Sequence, residues 1–219
     1  CNCSVNKKYV TNSYNIKNDI DLKIADKIKN VKIIYIFLSS RKVYKPKFNI
    51  NENQKVGPID VYAVNKTITE KKLQKKLNYK LLILRISNVI GFKIKKNKRQ
   101  VNKTFFDNYL KLNGNIKKIE YFNYFKDFIT IEQLLKYFCL IFEKNLTGIF
   151  NISLGQKVYI KEIISWLNKY NLDKGKFIHR LTSKKKLKEE SFTLNNDKIF
   201  KRINYRPHKK DLRRFCENL

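Results

Sequence analysis

The sequence contains no methionine, and its 219 residues include only six glycines and three prolines. Because translation normally starts with methionine, we expect the sequence to be a processed product or an excerpt of a longer chain. The scarcity of glycine and proline argues against a low-complexity or disordered chain. The 42% of hydrophobic residues are enough to form a core, and the length fits one domain or one domain with a small addition.

Long apolar runs and metal-ligand patterns are also missing. No apolar stretch reaches the roughly 18 residues that a membrane-spanning helix needs, and the first residues, CNCSVNKKYV, lack the apolar core of a signal peptide. We therefore expect a cytoplasmic protein without a membrane span. The four cysteines include one close pair, Cys1 and Cys3, but the two histidines, His179 and His208, lie far from it in sequence. This set predicts free thiols and no metal site.

Acidic residues are few: there are 18 of them against 49 basic residues, which gives a formal net charge of +31. Such an excess is typical of proteins that bind nucleic acids or anionic membranes. However, only eight of the basic residues are arginine, the residue that makes paired contacts with phosphates and guanine. Lysine shares A/T-rich codons with the abundant asparagine, isoleucine, tyrosine and phenylalanine, so gene composition explains much of the charge. We expect no nucleic-acid partner, although a nucleic-acid-binding protein remains an alternative.

The N-terminal half alternates helix-like and strand-like segments. Residues 19–29 place apolar side chains on one helical face, and the run VKIIYIFL at 31–38 indicates a buried strand. A second helix is predicted from Pro58 to about Leu77, and LLILRISNVIG at 81–91 indicates a second buried strand. The order helix, strand, helix, strand is that of a doubly wound α/β sheet with a parallel core.

The C-terminal half continues this alternation after a charged linker at 92–103. The helical and amphipathic patterns predict helices at 104–112, 131–144 and 158–170, another from about 195, and a last one at 209–217. Strands are predicted within 117–129, 148–154 and 176–181.

One pair of residues has the spacing of an acid/base site, Tyr62-x-x-x-Lys66. On a helix this spacing places both side chains on one face, where the lysine ammonium can stabilise a phenolate and lower the tyrosine pKa from its usual value of about 10. The same spacing occurs three times in this chain, so by itself it favours a purely structural interpretation, a half-buried tyrosine beside a surface lysine. Context has to decide among the three.

Only the first pair has the context of a ligand site. Its helix follows a buried strand that ends in Ser40 and precedes a second buried strand, and open α/β sheets bind ligands at the carboxyl ends of their strands. Ser40 is therefore expected to hydrogen-bond the same substrate oxygen that Tyr62 protonates. Asn88, near the end of the next strand, is expected to reach the same cleft.

These residues lie in segments that resemble the extended short-chain dehydrogenase/reductases, the NAD-dependent epimerase/dehydratase family that acts on nucleotide sugars. FLSSRKVYKPKFNINENQ is similar to the family's SSxxVYG…E segment, VYAVNKTITEKKL to its YxxxKxxxE helix, and LLILRISNVIG to its LRxxNVYGP strand. Downstream, KDFITIEQLLKYF resembles RDFIxVxDLAxA, GIFNISLG resembles GxYNIGxG, and NNDKIFKRINYRP resembles DxSKxxxxLGWxP. The segments follow in the family's order, which is more specific than any one of them.

The resemblance implies a role for each matching residue. Tyr62 would be the acid/base, Lys66 would hold the nicotinamide ribose, and Ser40 would orient the reacting sugar oxygen. Substrate contacts would come from Asn88, Lys126 and Arg180. The implied activity is epimerisation of a nucleotide sugar or reduction of its 4-keto form with NAD or NADP, in a homodimer. Dehydration ranks lower, because family dehydratases tend to carry Asp-Glu where this chain has Arg41 and Lys42.

The main departure from the family is the glycine-rich phosphate loop, since no GxxGxxG can be written from the six glycines. The family places this loop ahead of the matching segments, within three βα units that together comprise roughly 90 residues. We therefore predict a partial Rossmann-like doubly wound parallel sheet at 1–92 without its Gly-rich units, and a small substrate-binding α/β domain at 93–219, of which 126–153 return to the sheet. A catalytically inactive family member that acts as a binding module remains an alternative.

Overall fold

The structure, a computed structural model, describes residues 11–95, 98–101, 119–121, 125–170, 179–181 and 191–217. Its helices are α1 (Ile20–Ile28), α2 (Val61–Leu77), α3 (Ile131–Glu143), α4 (Ile160–Tyr170), α5 (Asp197–Ile203) and α6 (Lys209–Glu217). Its strands are β1 (Tyr35–Ser40), β2 (Leu81–Ile86), β3 (Asn88–Ile90), β4 (Phe92–Lys95), β5 (Lys98–Val101), β6 (Ile119–Tyr121), β7 (Phe125–Lys126), β8 (Phe128–Thr130), β9 (Gly148–Ile152), β10 (Val158–Tyr159) and β11 (His179–Leu181).

Three parallel strands form the centre of the fold, in the order β1-β2-β9. The register pairs Ser40 with Ile86 and Ile86 with Ile152, so the carboxyl ends of the three strands lie at one edge. All residues of β2 are buried, as expected for the central strand of a parallel sheet whose two faces are both covered. The α/β fold with a parallel sheet, predicted from the sequence, is confirmed.

The two faces of the sheet are covered by different helices. On one face, α1 and α2 pack against β1 and β2, and the buried side chains are Leu22, Ala25, Tyr35, Phe37, Leu73, Leu77, Leu81 and Ile83. On the other face, α3 and α5 bury a larger cluster that includes Leu82, Leu84, Ile129, Tyr137, Phe150, Ile152 and Ile199. Burying each large apolar side chain contributes about 1.5–3 kcal/mol, so these two layers fix where the carboxyl ends of β1 and β2 lie.

Helix α2 begins later than predicted. Asp60 accepts a hydrogen bond from the Ala63 backbone N–H at 2.8 Å, which makes Asp60 the N-cap and places Pro58 outside the helix. The helix then runs to Leu77, as predicted. Tyr62 is its second residue, so the side chain lies near the carboxyl end of β1.

The long predicted strand at 81–91 is two strands. The break comes at Ser87, whose N–H donates to the Ile152 carbonyl at 3.0 Å, and the chain then leaves the central sheet. β3 pairs in parallel with β8, Asn88 opposite Phe128. The first strand is shorter than predicted, because it starts only at Tyr35. The helix predicted at 104–112 lies outside the described residues.

Short strand pairs complete the described part of the chain. β4 pairs with β5 and β7 with β10, both antiparallel, while β11 pairs with β6 in parallel. Within the described ranges, no helix has both the length and the apolar character needed to cross a membrane.

Candidate functional site

The candidate site lies where β1 ends and α2 begins. Ser40 is the last residue of β1, and its side chain interacts with the side chain of Tyr62 and lowers the pKa of that tyrosine. The Ser40 Oγ also accepts the Lys42 backbone N–H at 3.3 Å, which caps the short helical turn Arg41–Val43. The structure thus brings together the serine and the tyrosine that the sequence analysis placed in one cleft.

Lys66 lies one helical turn after Tyr62 and is only 4% exposed. Its Nζ donates to the Leu38 carbonyl at 3.0 Å, and it lies 4.4 Å from the centre of the Phe37 ring and 5.9 Å from that of Tyr62. A buried ammonium group needs such partners to offset its lost hydration. The β1 backbone therefore holds the charge of Lys66 beside Tyr62.

The pKa of Tyr62 differs from the expectation drawn from its spacing to Lys66. Burial raises the pKa of Tyr62 above the ordinary value for tyrosine, the hydrogen bond with Ser40 lowers it, and the nearby Asp60 carboxylate raises it further. The expected lowering is therefore wrong for this structure. Desolvation of the phenol outweighs the charge of Lys66, whose ammonium is bonded to the Leu38 carbonyl.

A second lysine flanks the same ring. The Lys42 Nζ lies 5.9 Å from the centre of the Tyr62 ring and 2.7 Å from Asp60 Oδ2. Although burial acts in the opposite direction, the hydrogen bonds from Lys42 and from the Ala63 N–H hold the pKa of Asp60 below its usual value. Two ammonium groups thus lie 5.9 Å from the centre of the Tyr62 ring, a buried one on its own helix and a half-exposed one on the loop after β1. The sequence pattern identified Lys42 as a departure from dehydratases, but it did not show this contact.

A buried ion pair between α2 and β2 lies next to the site. Arg85 Nη2 lies 2.6 Å from Glu70 Oε2, and Arg85 Nε donates to Glu70 Oε1 at 3.1 Å. The Ser39 Oγ donates to Glu70 Oε1, and Arg85 Nη1 donates to the Tyr44 hydroxyl at 2.7 Å. Burial alone would lower the pKa of the Arg85 guanidinium, but the Glu70 carboxylate outweighs it and raises that pKa. These bonds join α2, β1 and β2 next to the catalytic candidates.

The sequence analysis assigned no role to this ion pair, although two signals were present. Glu70 follows Lys66 by four residues and therefore lies on the same face of α2. Arg85 is a single charge in the otherwise apolar strand LLILRI, and a charged residue in a buried strand requires a buried partner.

A second buried carboxylate organises the expected substrate side. Asp127 is fully buried, and its carboxylate accepts backbone N–H groups of Leu154 at 3.1 Å, Gly155 at 3.2 Å and Leu194 at 3.0 Å. Burial raises the pKa of Asp127 to about 7, although these hydrogen bonds act in the other direction. The Asp127 backbone carbonyl accepts the Asn88 Nδ2 at 3.0 Å. One residue thus joins Asn88 to the loop after β9 and to the segment before α5.

For the two remaining predicted substrate residues, Lys126 and Arg180, the structure gives the position in a strand. Lys126 lies on β7 directly before Asp127, is half-buried, and is paired with Val158 of β10. Arg180 lies in the middle of β11 opposite Glu120, and its side chain is outside the described residues. The structure therefore brings Ser40, Tyr62 and Lys66 into one site, and it links Asn88 to the residue next to Lys126.

The chain matches no protein-family model and no curated protein, but it is similar to solved structures. One is UDP-N-acetylglucosamine 4-epimerase from Methanobrevibacter ruminantium in complex with UDP-N-acetylmuramic acid, with a TM-score of 0.70, 20% identity, and coverage of 90% of this chain and 65% of that chain. UDP-glucuronic acid 4-epimerase from Bacillus cereus in complex with NAD has a TM-score of 0.69, 20% identity, and coverage of 90% and 63%. The Bordetella bronchiseptica enzyme WbmG in complex with NAD and UDP has a TM-score of 0.72, 17% identity, and coverage of 86% and 59%.

These likenesses establish the fold. The chain has the Rossmann-like fold of nucleotide-sugar epimerases, as its resemblance to the epimerase/dehydratase family predicted. It spans between 59% and 65% of the length of these three proteins. Its activity, substrate and cofactor are therefore matters of proposal.

Proposed function

We propose that this chain carries the acid/base and substrate-binding residues of an NAD(P)-dependent nucleotide-sugar epimerase or 4-keto-sugar reductase. The observation that carries the proposal is the placement of Ser40, Tyr62 and the buried ammonium of Lys66 together at the carboxyl edge of a parallel sheet. Open α/β sheets bind ligands at this edge. The similar solved structures carry NAD, UDP or a UDP-sugar derivative, which supports the ligand class.

The described residues fit one end of NAD(P). Tyr62 is half-buried, and Lys66 has its Nζ fixed near the same edge of the sheet, so these two would hold the nicotinamide ribose. The cofactor, when bound, supplies or accepts the hydride at the sugar carbon. None of the six glycines of this chain forms a GxxGxxG loop, so we assign no residue of this chain to the cofactor's pyrophosphate.

Tyr62 would move the proton at the reacting sugar oxygen. As a neutral phenol, the form that its raised pKa favours, it donates a proton to the oxygen of a 4-keto sugar and so acts as the acid of a reduction. The reverse step needs the phenolate, which the Ser40 hydrogen bond and the nearby ammonium groups stabilise. An epimerase uses both directions, and a reductase only the first. Ser40 would hold the same sugar oxygen in line with the phenol.

The substrate diphosphate would be bound on the side of β7 and β8. Lys126 can serve as a point charge for a phosphate, without the paired geometry of the arginine that the family usually has there. Asn88, whose Nδ2 is bonded to the Asp127 carbonyl, would present its side-chain oxygen to the substrate. We keep Arg180 as a third candidate contact from its position in β11.

The decisive variant is Tyr62→Phe in the complete gene product. It removes only the acid/base hydroxyl, so conversion of nucleotide sugars is expected to fall by about 10²–10⁴-fold, while NAD(P) binding measured by fluorescence titration stays nearly unchanged. Tyr79→Phe is the matched control, because Tyr79 is 72% exposed and lies outside the site, and this variant should retain full turnover. Undiminished turnover in Tyr62→Phe would contradict the proposal.

A catalytically inactive family member that acts as a binding module is the second candidate. It predicts that the complete gene product binds no NAD(P), so one titration with tight binding would exclude it. A homodimer, and the lack of a nucleic-acid partner, stay predictions that sedimentation and a salt-dependent binding assay would test.

A further inference from the structure

Three residues, Ser40, Lys42 and Asp60, are linked to one another beside the ring of Tyr62. The Ser40 Oγ accepts the backbone N–H of Lys42 at 3.3 Å, and Ser40 lowers the pKa of Tyr62. The Lys42 ammonium lies at 2.7 Å from Asp60 and at 5.9 Å from the centre of the Tyr62 ring. Asp60 is the N-cap of the helix on which Tyr62 is the second residue. The loop after β1 and the start of α2 are thus joined by one ion pair beside the acid/base candidate.

The charges of this pair act on the phenol with opposite signs. The Asp60 carboxylate disfavours a phenolate, whereas the Lys42 ammonium favours it and also offsets Asp60. Lys66 adds a second positive charge from the helix side. Arg41 contributes to the electrostatics of Asp60, and its guanidinium stacks on Phe192. Lys42 is therefore the charge that offsets Asp60 next to the ring of Tyr62.

We propose that Lys42 is a positioning residue of the acid/base site: its ammonium, held in place by Asp60, stabilises the phenolate of Tyr62 together with Lys66. This inference rests on the proposed function for the role of Tyr62, but its physical content is a property of the site alone. Lys42 and Asp60 are both about half exposed, and exposed ion pairs contribute little to folding stability. An effect on Tyr62 is therefore distinct from an effect on the fold.

The test is a direct titration of the Tyr62 phenol by NMR in the full chain, with tyrosine isotope-labelled at Cζ. The Tyr62 signal is assigned by its disappearance in Tyr62→Phe. In Lys42→Gln, which leaves Asp60 unneutralised, the pKa of Tyr62 should rise by about 0.5–1. Lys42→Arg, which keeps the charge, should restore a value close to that of the wild type. In Lys42→Gln with Asp60→Asn, which keeps the N-cap but removes both charges, most of the rise should disappear.

The matched control is Lys76→Gln. Lys76 is on α2, the helix that carries Tyr62, but it lies about 20 Å from Tyr62 along that helix. Like Lys42, it is partly exposed and is paired with a single aspartate, in this case Asp26. Its substitution changes the net charge of the chain by the same amount and should leave the pKa of Tyr62 unchanged. If Lys42→Gln shifts Tyr62 no more than Lys76→Gln does, the proposal is overturned.

The readout separates this inference from the proposed function. The NMR titration needs neither substrate nor cofactor, so a Lys42 effect without turnover in the complete gene product would support the inference and remove the function. Where turnover is present, the pH at which kcat/KM is half-maximal should rise in Lys42→Gln, as the pKa of Tyr62 does. Turnover with an unmoved pH profile and an unmoved Tyr62 signal would remove the inference and keep the function.

Discussion

Glu70 and Asp127 are two buried carboxylates beside the candidate site, and they are stabilised in different ways. Glu70 is paired with the Arg85 guanidinium through three hydrogen bonds, two from Nε and one from Nη2. Asp127 is instead surrounded by the backbone N–H groups of Leu154, Gly155 and Leu194. The first arrangement joins a helix and two strands, whereas the second joins a strand to two loops.

The difference divides the site into two parts. Glu70 and Arg85 hold α2 against β1 and β2, and so fix Tyr62 and Lys66 relative to Ser40. Asp127 holds the expected substrate side, and burial raises its pKa to about 7, so its charge depends on pH near neutrality. The two parts are thus held by different chemistry: an ion pair holds one, and backbone N–H donors around a carboxylate of raised pKa hold the other.

The largest expected effect comes from Glu70→Gln, which breaks the ion pair while keeping its size. It leaves the buried guanidinium of Arg85 without its counter-charge, so the free energy of unfolding should fall by about 3–5 kcal/mol. Asp26→Asn is the matched control. It breaks the exposed pair between Asp26 of α1 and Lys76, which lies on α2 as Glu70 does, and should lower the free energy of unfolding by at most about 1 kcal/mol. Urea denaturation of both variants gives the comparison, and equal losses would show that the Glu70–Arg85 pair has no special role.

How much of this could be predicted from the sequence depends on how local each signal is. α3, β2 and β9 were predicted because each buries a continuous apolar face or run that is visible in its own residues. α2 was predicted from Pro58 instead, and most of the residues that it buries are polar. The break at Ser87 could not be predicted in that way, because β3 leaves the sheet to pair with the distant strand β8. The start of α2 was misplaced although Asp60 is a good N-cap residue, because Pro58 is also a typical first helical residue.

The candidate site shows the same limit. The strand-end position of Ser40 and its relation to Tyr62 and Lys66 followed from spacing and from the order of strands and helices. The direction of the Tyr62 pKa did not, because it depends on how far tertiary packing desolvates the phenol. The positions of Lys42 and Asp127 in the site likewise depend on contacts between segments that lie apart in the chain.

The second expected effect is a pH dependence that belongs to Asp127. Because burial raises the pKa of Asp127 from 3.8 to about 7, the folded chain binds a proton that the unfolded chain releases between these values. Stability from this group is therefore fully present below about pH 4 and is lost as the pH rises to about 7, by at most about 1.4 kcal/mol per pH unit. Asp127→Asn cannot titrate there, so the stability difference between wild type and variant should shrink steadily over this range.

The check is urea denaturation of wild type and Asp127→Asn at several pH values. Only the difference between the two is interpreted, because other groups titrate equally in both. Asp197→Asn serves as a second reference, since Asp197 is half-exposed, is paired with Arg206 and has a lowered pKa. The difference in unfolding free energy between wild type and Asp197→Asn should change in the opposite direction, growing as the pH rises through the acid range. A pH-independent difference for Asp127→Asn would mean that the backbone N–H donors keep this carboxylate charged across the whole range, against the raised pKa.

The smallest expected effect is that of Ser39→Ala, which probes how much of the stability of the acid/base side comes from one neutral donor. The Ser39 hydroxyl donates to Glu70 Oε1, and the carboxylate keeps its contacts with Arg85 when this bond is removed. The loss of unfolding free energy should therefore be about 1–2 kcal/mol, clearly below that of Glu70→Gln. In the double variant the serine should cost less than it does alone, because its acceptor is then a neutral amide. If the two losses are simply additive, Ser39 acts independently of the ion pair, and α2 is held to β1 mainly by apolar packing.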